Sequence, residues 1–114
     1  MANRVIHSKV AGTTFEGRQA ILEIMTTDMP LQIRPEPDNA YDKNALAVWV
    51  AIAPGDVRQC GYIPRDLAKL IAPLLDGEAV IARVEAITGG FVMWDDQRAN
   101  LGLDITVEVP EADA

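Results

Sequence analysis

The stretch Ala-Leu-Ala-Val-Trp-Val-Ala-Ile, from Ala45 to Ile52, is almost entirely apolar. An apolar run of this length, containing β-branched residues and an aromatic, predicts a strand buried on both faces. The turn-forming residues Ala53 to Asp56 follow it, and Val57 to Ile63 can then form a partner strand. This hairpin is therefore predicted to be the centre of the core.

The elements on either side of the hairpin are predicted from their periodicity and their boundary residues. On the carboxyl side we predict a helix from Pro64 to Asp76, with Leu67, Leu70, Ile71 and Leu74 facing the sheet, and strands at Val80 to Thr88 and Leu103 to Val109. On the amino side we predict a strand at Val5 to Ala11, a short helix at Gln19 to Met25 and a strand at Pro30 to Arg34. About six short strands with one or two short helices indicate a mainly β domain, closed or half-closed as a small barrel, since closure removes exposed strand edges.

Length and composition predict one domain over residues 1–114, with its core at about 5–109 and a frayed tail at 110–114. Hydrophobic residues make up 49% and charged residues 24%, as in ordinary globular proteins. No apolar run approaches the roughly 20 residues of a membrane span, and Met1 to Arg4 do not begin a secretory signal, so we expect a cytoplasmic protein without membrane contact. One cysteine, Cys60, and one histidine, His7, cannot form a disulfide or a closed zinc site. We expect no metal and no cofactor.

The net charge of −7 and the pI of about 4.5 oppose a mode of binding that neutralises many phosphates. They leave room for a site that holds one strand end by stacking and a few hydrogen bonds, and for a protein-interaction module. The sequence has no nucleophile and base pair and no Walker-type loop, so we do not expect an enzyme.

The loop Glu36 to Asn44 places one aromatic and several short polar side chains between two apolar strands. On composition alone, a well-capped turn is the favoured interpretation, because Asp and Asn bond readily to nearby backbone. The functional interpretation is that Tyr41 offers a stacking face while Asp42 and Asn39 bond to hydroxyl groups and base edges.

Three ordered motifs carry a family resemblance: Glu-Pro-Asp-Asn-Ala-Tyr-Asp-Lys-Asn-Ala-Leu-Ala-Val (36–48), Cys-Gly-Tyr-Ile-Pro-Arg-Asp-Leu-Ala (60–68) and Ala-Pro-Leu-Leu-Asp-Gly (72–77). With Val-Ala-Gly-Thr-Thr-Phe-Glu-Gly (10–17), the chain resembles the HIRAN family from about Val5 to Val109. HIRAN domains stand alone in bacteria or at the front of certain eukaryotic DNA-repair helicase-like ATPases. The resemblance implies a small OB-like or SH3-like β-barrel that holds the 3′-hydroxyl end of single-stranded DNA.

The resemblance also implies a binding site, in which Tyr41 stacks on the terminal base and Asp42 accepts a hydrogen bond from the 3′-hydroxyl. The implied nucleic-acid-binding residues are Phe15, Asp38, Asn39, Tyr41, Asp42, Tyr62 and Arg65. The first loop has Thr13 and Thr14 where DNA-binding members carry a basic residue and then an aromatic. The acidic charge predicts weak binding to single-stranded DNA. The alternative, which the acidic charge and the two threonines favour, is a recruitment module that binds a protein partner and no nucleic acid.

Overall fold

A computed structural model describes residues 3–95 and 97–110 of the chain. Eight elements follow one another: β1 (Asn3–Lys9), α1 (Arg18–Ile24), β2 (Pro30–Pro35), β3 (Leu46–Ala53), β4 (Asp56–Tyr62), α2 (Arg65–Leu75), β5 (Val80–Thr88) and β6 (Gly102–Pro110). The predicted tail starts one residue too early, because Pro110 pairs with Asn3 at the end of β6. Its other residues, 111–114, lie outside the described part of the chain.

The six strands form one antiparallel sheet in the order β1-β6-β5-β2-β3-β4, which confirms the mainly β prediction and the β3–β4 hairpin. The edge strands β1 and β4 are not paired with each other along their length. A single bridge links the chain just after β1 to the end of β4, through Ala11 and Tyr62. Strand pairing therefore does not close the sheet into a barrel, and we call the place of this bridge the seam.

Strand β3 runs through the middle of the core, as its apolar sequence predicts. The consecutive residues Leu46, Ala47 and Val48 have no exposed surface, so both faces of the strand are covered. Leu22 of α1 and Ile71 of α2 belong to the same buried cluster. Burial of such apolar surface is the main stabilising contribution to a domain of this size.

Helix α2 forms where predicted, but one of the four residues expected on its buried face is exposed. Its fully buried residues are Ala68, Ile71 and Leu75, which follow the i, i+3, i+7 spacing of one helical face. Leu67 and Leu74 are half-buried at the margins of that face. Leu70 is 72% exposed, so its predicted contact with the sheet is wrong; it lies about 100° around the helix from Ile71. Neither described helix is long and apolar enough to cross a membrane.

Cys60 of β4 is fully buried, and its thiol donates to the Val48 carbonyl oxygen at 3.4 Å. Burial raises the pKa of the Cys60 thiol from 9.0 to about 12. As the pH rises, the thiol of the unfolded chain loses its proton at a lower pH than the buried thiol does. The contribution of Cys60 to the free energy of unfolding is therefore fully present below about pH 9 and decreases as the pH rises towards 12. Between about pH 8 and about pH 10.5, we expect the free energy of unfolding to fall more steeply in the wild type than in Cys60→Ala. Urea titrations at both pH values measure this, and equal slopes would contradict it.

Candidate functional site

A groove of about 940 Å³ opens where the first loop, the loop after β2, the end of β4 and the start of α2 meet. Its lining consists of Ala11, Gly12, Phe15, Glu16, Arg18, Asn39, Tyr41, Asp42, Ala45, Tyr62, Ile63 and Arg65. Six of the seven residues predicted from the sequence are among them. The seventh, Asp38, is exposed on the same loop and does not line the groove.

The backbone bridge at the seam holds the first loop against the end of β4. The Ala11 N–H donates to the Tyr62 carbonyl at 2.7 Å, and the Tyr62 N–H donates to the Ala11 carbonyl at 2.9 Å. Gly61 permits this approach, because a Cβ there would lie 2.4 Å from the Ala11 carbonyl oxygen. The lack of a side chain at Gly61 therefore lets both loops border one groove.

Asn39 shapes the loop from which Tyr41 projects. Its Oδ1 accepts the backbone N–H groups of Tyr41, at 2.9 Å, and Asp42, at 3.0 Å. Its amide nitrogen donates to Glu36 Oε1 at 3.0 Å. This is the capped turn that composition favours, with Asn39 as its capping residue. The turn leaves Tyr41 92% exposed, so the capped turn itself presents an aromatic face to the groove.

Tyr62 forms part of the groove wall and is fixed at both its hydroxyl and its ring. The hydroxyl donates to Glu36 Oε1 at 3.0 Å, the same oxygen that receives the Asn39 amide. The Arg18 guanidinium carbon lies 5.5 Å from the centre of the Tyr62 ring, within cation–π range. These two contacts hold the Tyr62 side chain in one position in the groove wall.

The Asp42 carboxylate is held at one oxygen and faces a cation at the other. Oδ1 accepts the Asn44 N–H at 2.9 Å, whereas Oδ2 lies 3.7 Å from Nε of Arg65. The Asp42 side chain is 20% exposed, and the Arg65 side chain is largely in solvent. Oδ2 can accept a hydrogen bond from a hydroxyl group in the groove, with Arg65 beside it for an anion.

Arg18 is a site residue that the sequence prediction missed. It is 6% exposed, and its Nη1 donates to the Gly12 carbonyl at 2.9 Å while Nη2 donates to Glu16 Oε2 at 3.1 Å. These bonds brace the first loop, and the charge of the guanidinium in the groove wall is paired with Glu16. The available signal was its isolation, because Arg18 is the only basic residue between Val10 and Ile33.

Thr13 of the same loop does not line the groove. It is buried, and its hydroxyl lies 3.4 Å from the Leu101 carbonyl oxygen, to which it donates. Gln19 joins the same two segments, accepting the Leu101 N–H at 2.8 Å. Phe15 remains exposed at the groove rim. Within the described ranges, no three histidine, cysteine, aspartate or glutamate side chains lie close enough together to hold a metal ion.

Comparisons with known proteins agree with this architecture. A solved structure of a protein from Lactobacillus plantarum is similar to this chain, with a TM-score of 0.63 and 23% sequence identity. The likeness covers 96% of this chain and 100% of that one, which shows a shared fold. No curated protein matches the sequence. The HIRAN domain family matches residues 4–109, nearly the whole length, and the chain therefore belongs to the HIRAN domain family.

Proposed function

We propose that this protein binds single-stranded DNA weakly and recognises its free 3′ end, without catalysing a reaction. HIRAN domains are known as nucleic-acid-binding modules, and membership of the family supports DNA binding in general. One observation carries the finer proposal: an exposed Tyr41 ring and a fixed Asp42 carboxylate lie side by side in one groove. We further propose that it acts in the cytoplasm, in the repair of DNA ends.

The aromatic residues of the groove supply the stacking contact. Tyr41 and Phe15 both expose most of their rings, so a base can stack without displacing protein side chains. Each base that stacks on an aromatic contributes about 1–3 kcal/mol, largely independent of its identity. The site should therefore accept any terminal base.

The Asp42 carboxylate supplies selectivity for the end of the strand. A 3′-hydroxyl can donate to Oδ2, whereas a 3′-phosphate at the same place would be repelled by the carboxylate. Arg65, whose Nε lies 3.7 Å from Oδ2, can pair with the phosphate that precedes the terminal nucleotide. The acidic balance of the chain keeps the total affinity low, and the few phosphate contacts make it sensitive to salt because they release counterions.

Asp42→Asn is expected to remove the discrimination between 3′-hydroxyl and 3′-phosphate ends, while affinity for the hydroxyl end falls only about two- to fivefold. The amide oxygen can keep the Asn44 bond, and the amide nitrogen replaces the repelling oxygen; it can donate to the oxygen of the 3′-hydroxyl, which limits the loss. Anisotropy titrations of 5′-labelled strands with free and phosphorylated 3′ ends measure both affinities. Asp38→Asn is the matched control, because it removes the same charge from the same loop outside the groove. Equal binding of both ends by the wild type would refute end recognition.

A second candidate function, recruitment of a protein partner, is favoured by the connection between β5 and β6. Phe91, Val92 and Trp94 lie within four residues of one another in sequence, and all three are exposed; Trp94 is 96% exposed. Clustered exposed apolar side chains are typical of protein contact sites. If the wild type binds no strand with either 3′ end in the same titrations, this candidate replaces the first.

A further inference from the structure

A second cavity, of about 620 Å³, adjoins the groove on the side of helix α2. Tyr41, Asp42 and Arg65 line both the groove and this cavity. Lys43 and Lys69 line only the second, which we call the α2 cavity. The shared residues make one continuous path from the groove across the first turns of the helix.

The α2 cavity is basic within an acidic protein. Three basic residues, Lys43, Arg65 and Lys69, face two acidic ones, Asp42 and Asp66, for a local formal charge of +1, whereas the whole chain carries −7. Arg65 and Lys69 are four residues apart, so they lie on one face of α2 about 6 Å apart along its axis. Within the described part of the chain, Lys43 and Lys69 form no ion pair, whereas Arg65 faces Asp42.

The part of the groove beside Glu16 is less suited to a phosphate chain. Glu16 lines the groove but not the α2 cavity, and its side chain is 80% exposed. Arg18 pairs with this carboxylate and is itself buried, so the charge that faces solvent there is negative. Like charges on a strand and on Glu16 would repel.

We infer that a bound strand leaves the groove through the α2 cavity, where Lys43 and Lys69 contact phosphates further along the strand than the one beside Arg65. The inference rests on the proposed function and adds to it the direction of the strand and a binding site longer than one nucleotide. Contact of either lysine with a phosphate breaks no ion pair among the described residues, so it costs little free energy. Asp66 limits the gain, which keeps the contribution of the cavity modest.

The test compares a thymidine dinucleotide with a thymidine hexamer, both with free 3′-hydroxyls, on the wild type, Lys43→Gln and Lys69→Gln. We expect the wild type to prefer the hexamer, and each variant to lose about three- to fivefold in hexamer affinity with the dinucleotide unchanged. The plot of log affinity against log salt concentration has a negative slope, and its magnitude should decrease by about 0.7 for each lysine removed. Lys9→Gln is the matched control, because Lys9 is an exposed lysine on β1 outside both cavities.

The outcomes separate this inference from the function on which it rests. If the dinucleotide and hexamer bind equally, or if both cavity variants match Lys9→Gln, the exit path is wrong while end binding stands. If the wild type binds neither strand, the proposed function fails and the exit path fails with it. Both lysines are exposed, so the variants should fold normally, which thermal melts followed by circular dichroism check.

Discussion

Gly61→Ala is expected to destabilise the protein by about 3 kcal/mol, the upper part of the range for overpacking. The added Cβ would lie 2.4 Å from the Ala11 carbonyl oxygen and 2.5 Å from Cγ1 of Val10. The carbonyl cannot retreat without losing the bridge to Tyr62, because that oxygen accepts the Tyr62 N–H. Urea unfolding should show a midpoint lowered by roughly 1–3 M.

Gly55→Ala separates this steric effect from the general effect of replacing a glycine. Gly55 lies in the β3–β4 turn at φ +79°, and a Cβ there would have no neighbour within 4 Å. Its replacement costs only the left-handed backbone penalty, about 1–2 kcal/mol. If Gly61→Ala proves no more harmful than Gly55→Ala, the close approach at the seam is not as tight as described.

Tyr41→Ala is expected to reduce affinity for single strands roughly 5- to 150-fold, which corresponds to the loss of about 1–3 kcal/mol of stacking. The free energy of unfolding should stay the same within about 0.5 kcal/mol, because Tyr41 is 92% exposed. Its backbone N–H would still bond to Asn39, so the loop should keep its shape. Strand titrations and urea unfolding of the same preparation measure the two quantities.

Two further variants decide what a loss in Tyr41→Ala means. Tyr41→Phe keeps the ring and should bind as the wild type does. Trp94→Ala removes an equally exposed aromatic that does not line the groove, and it should also leave binding unchanged. Undiminished binding by Tyr41→Ala would exclude a stacking site in this loop.

Local sequence patterns predict the elements of this fold well, and every predicted end lies within two residues of the observed one. Leu103 to Val109 alternate because only one face of that strand is buried, and β3 is a continuous apolar run because both of its faces are buried. Either pattern is sufficient to locate a strand. The order of the strands in the sheet, by contrast, cannot be predicted from local patterns. The position of β2 between β3 and β5 depends on pairings between distant segments, which no local pattern contains.

The candidate site likewise contains residues that the sequence predicts and one, Arg18, that it does not. Tyr41, Asp42 and Asn39 lie in one short loop, so the sequence itself places them together. Arg18 looks like an ordinary solvated charge at a helix start, and its burial depends on the Gly12 carbonyl, Glu16 and the Tyr62 ring. For Leu70 the sequence misleads in the opposite direction. Its apolar side chain and its spacing predict burial, but Ala68, Ile71 and Leu75 form the buried face of the helix and Leu70 is exposed.

The bonds that Asn39 makes to the backbone of its own loop have a kinetic consequence. Because the loop is already braced through Glu36, the protein has little rearrangement to make when a ligand arrives. The ordering cost of association then falls mostly on the flexible strand, and the encounter rate should be similar for different ends. Selectivity would then lie in the dissociation rate. A strand with a 3′-phosphate would associate as fast as one with a 3′-hydroxyl, but it would dissociate sooner.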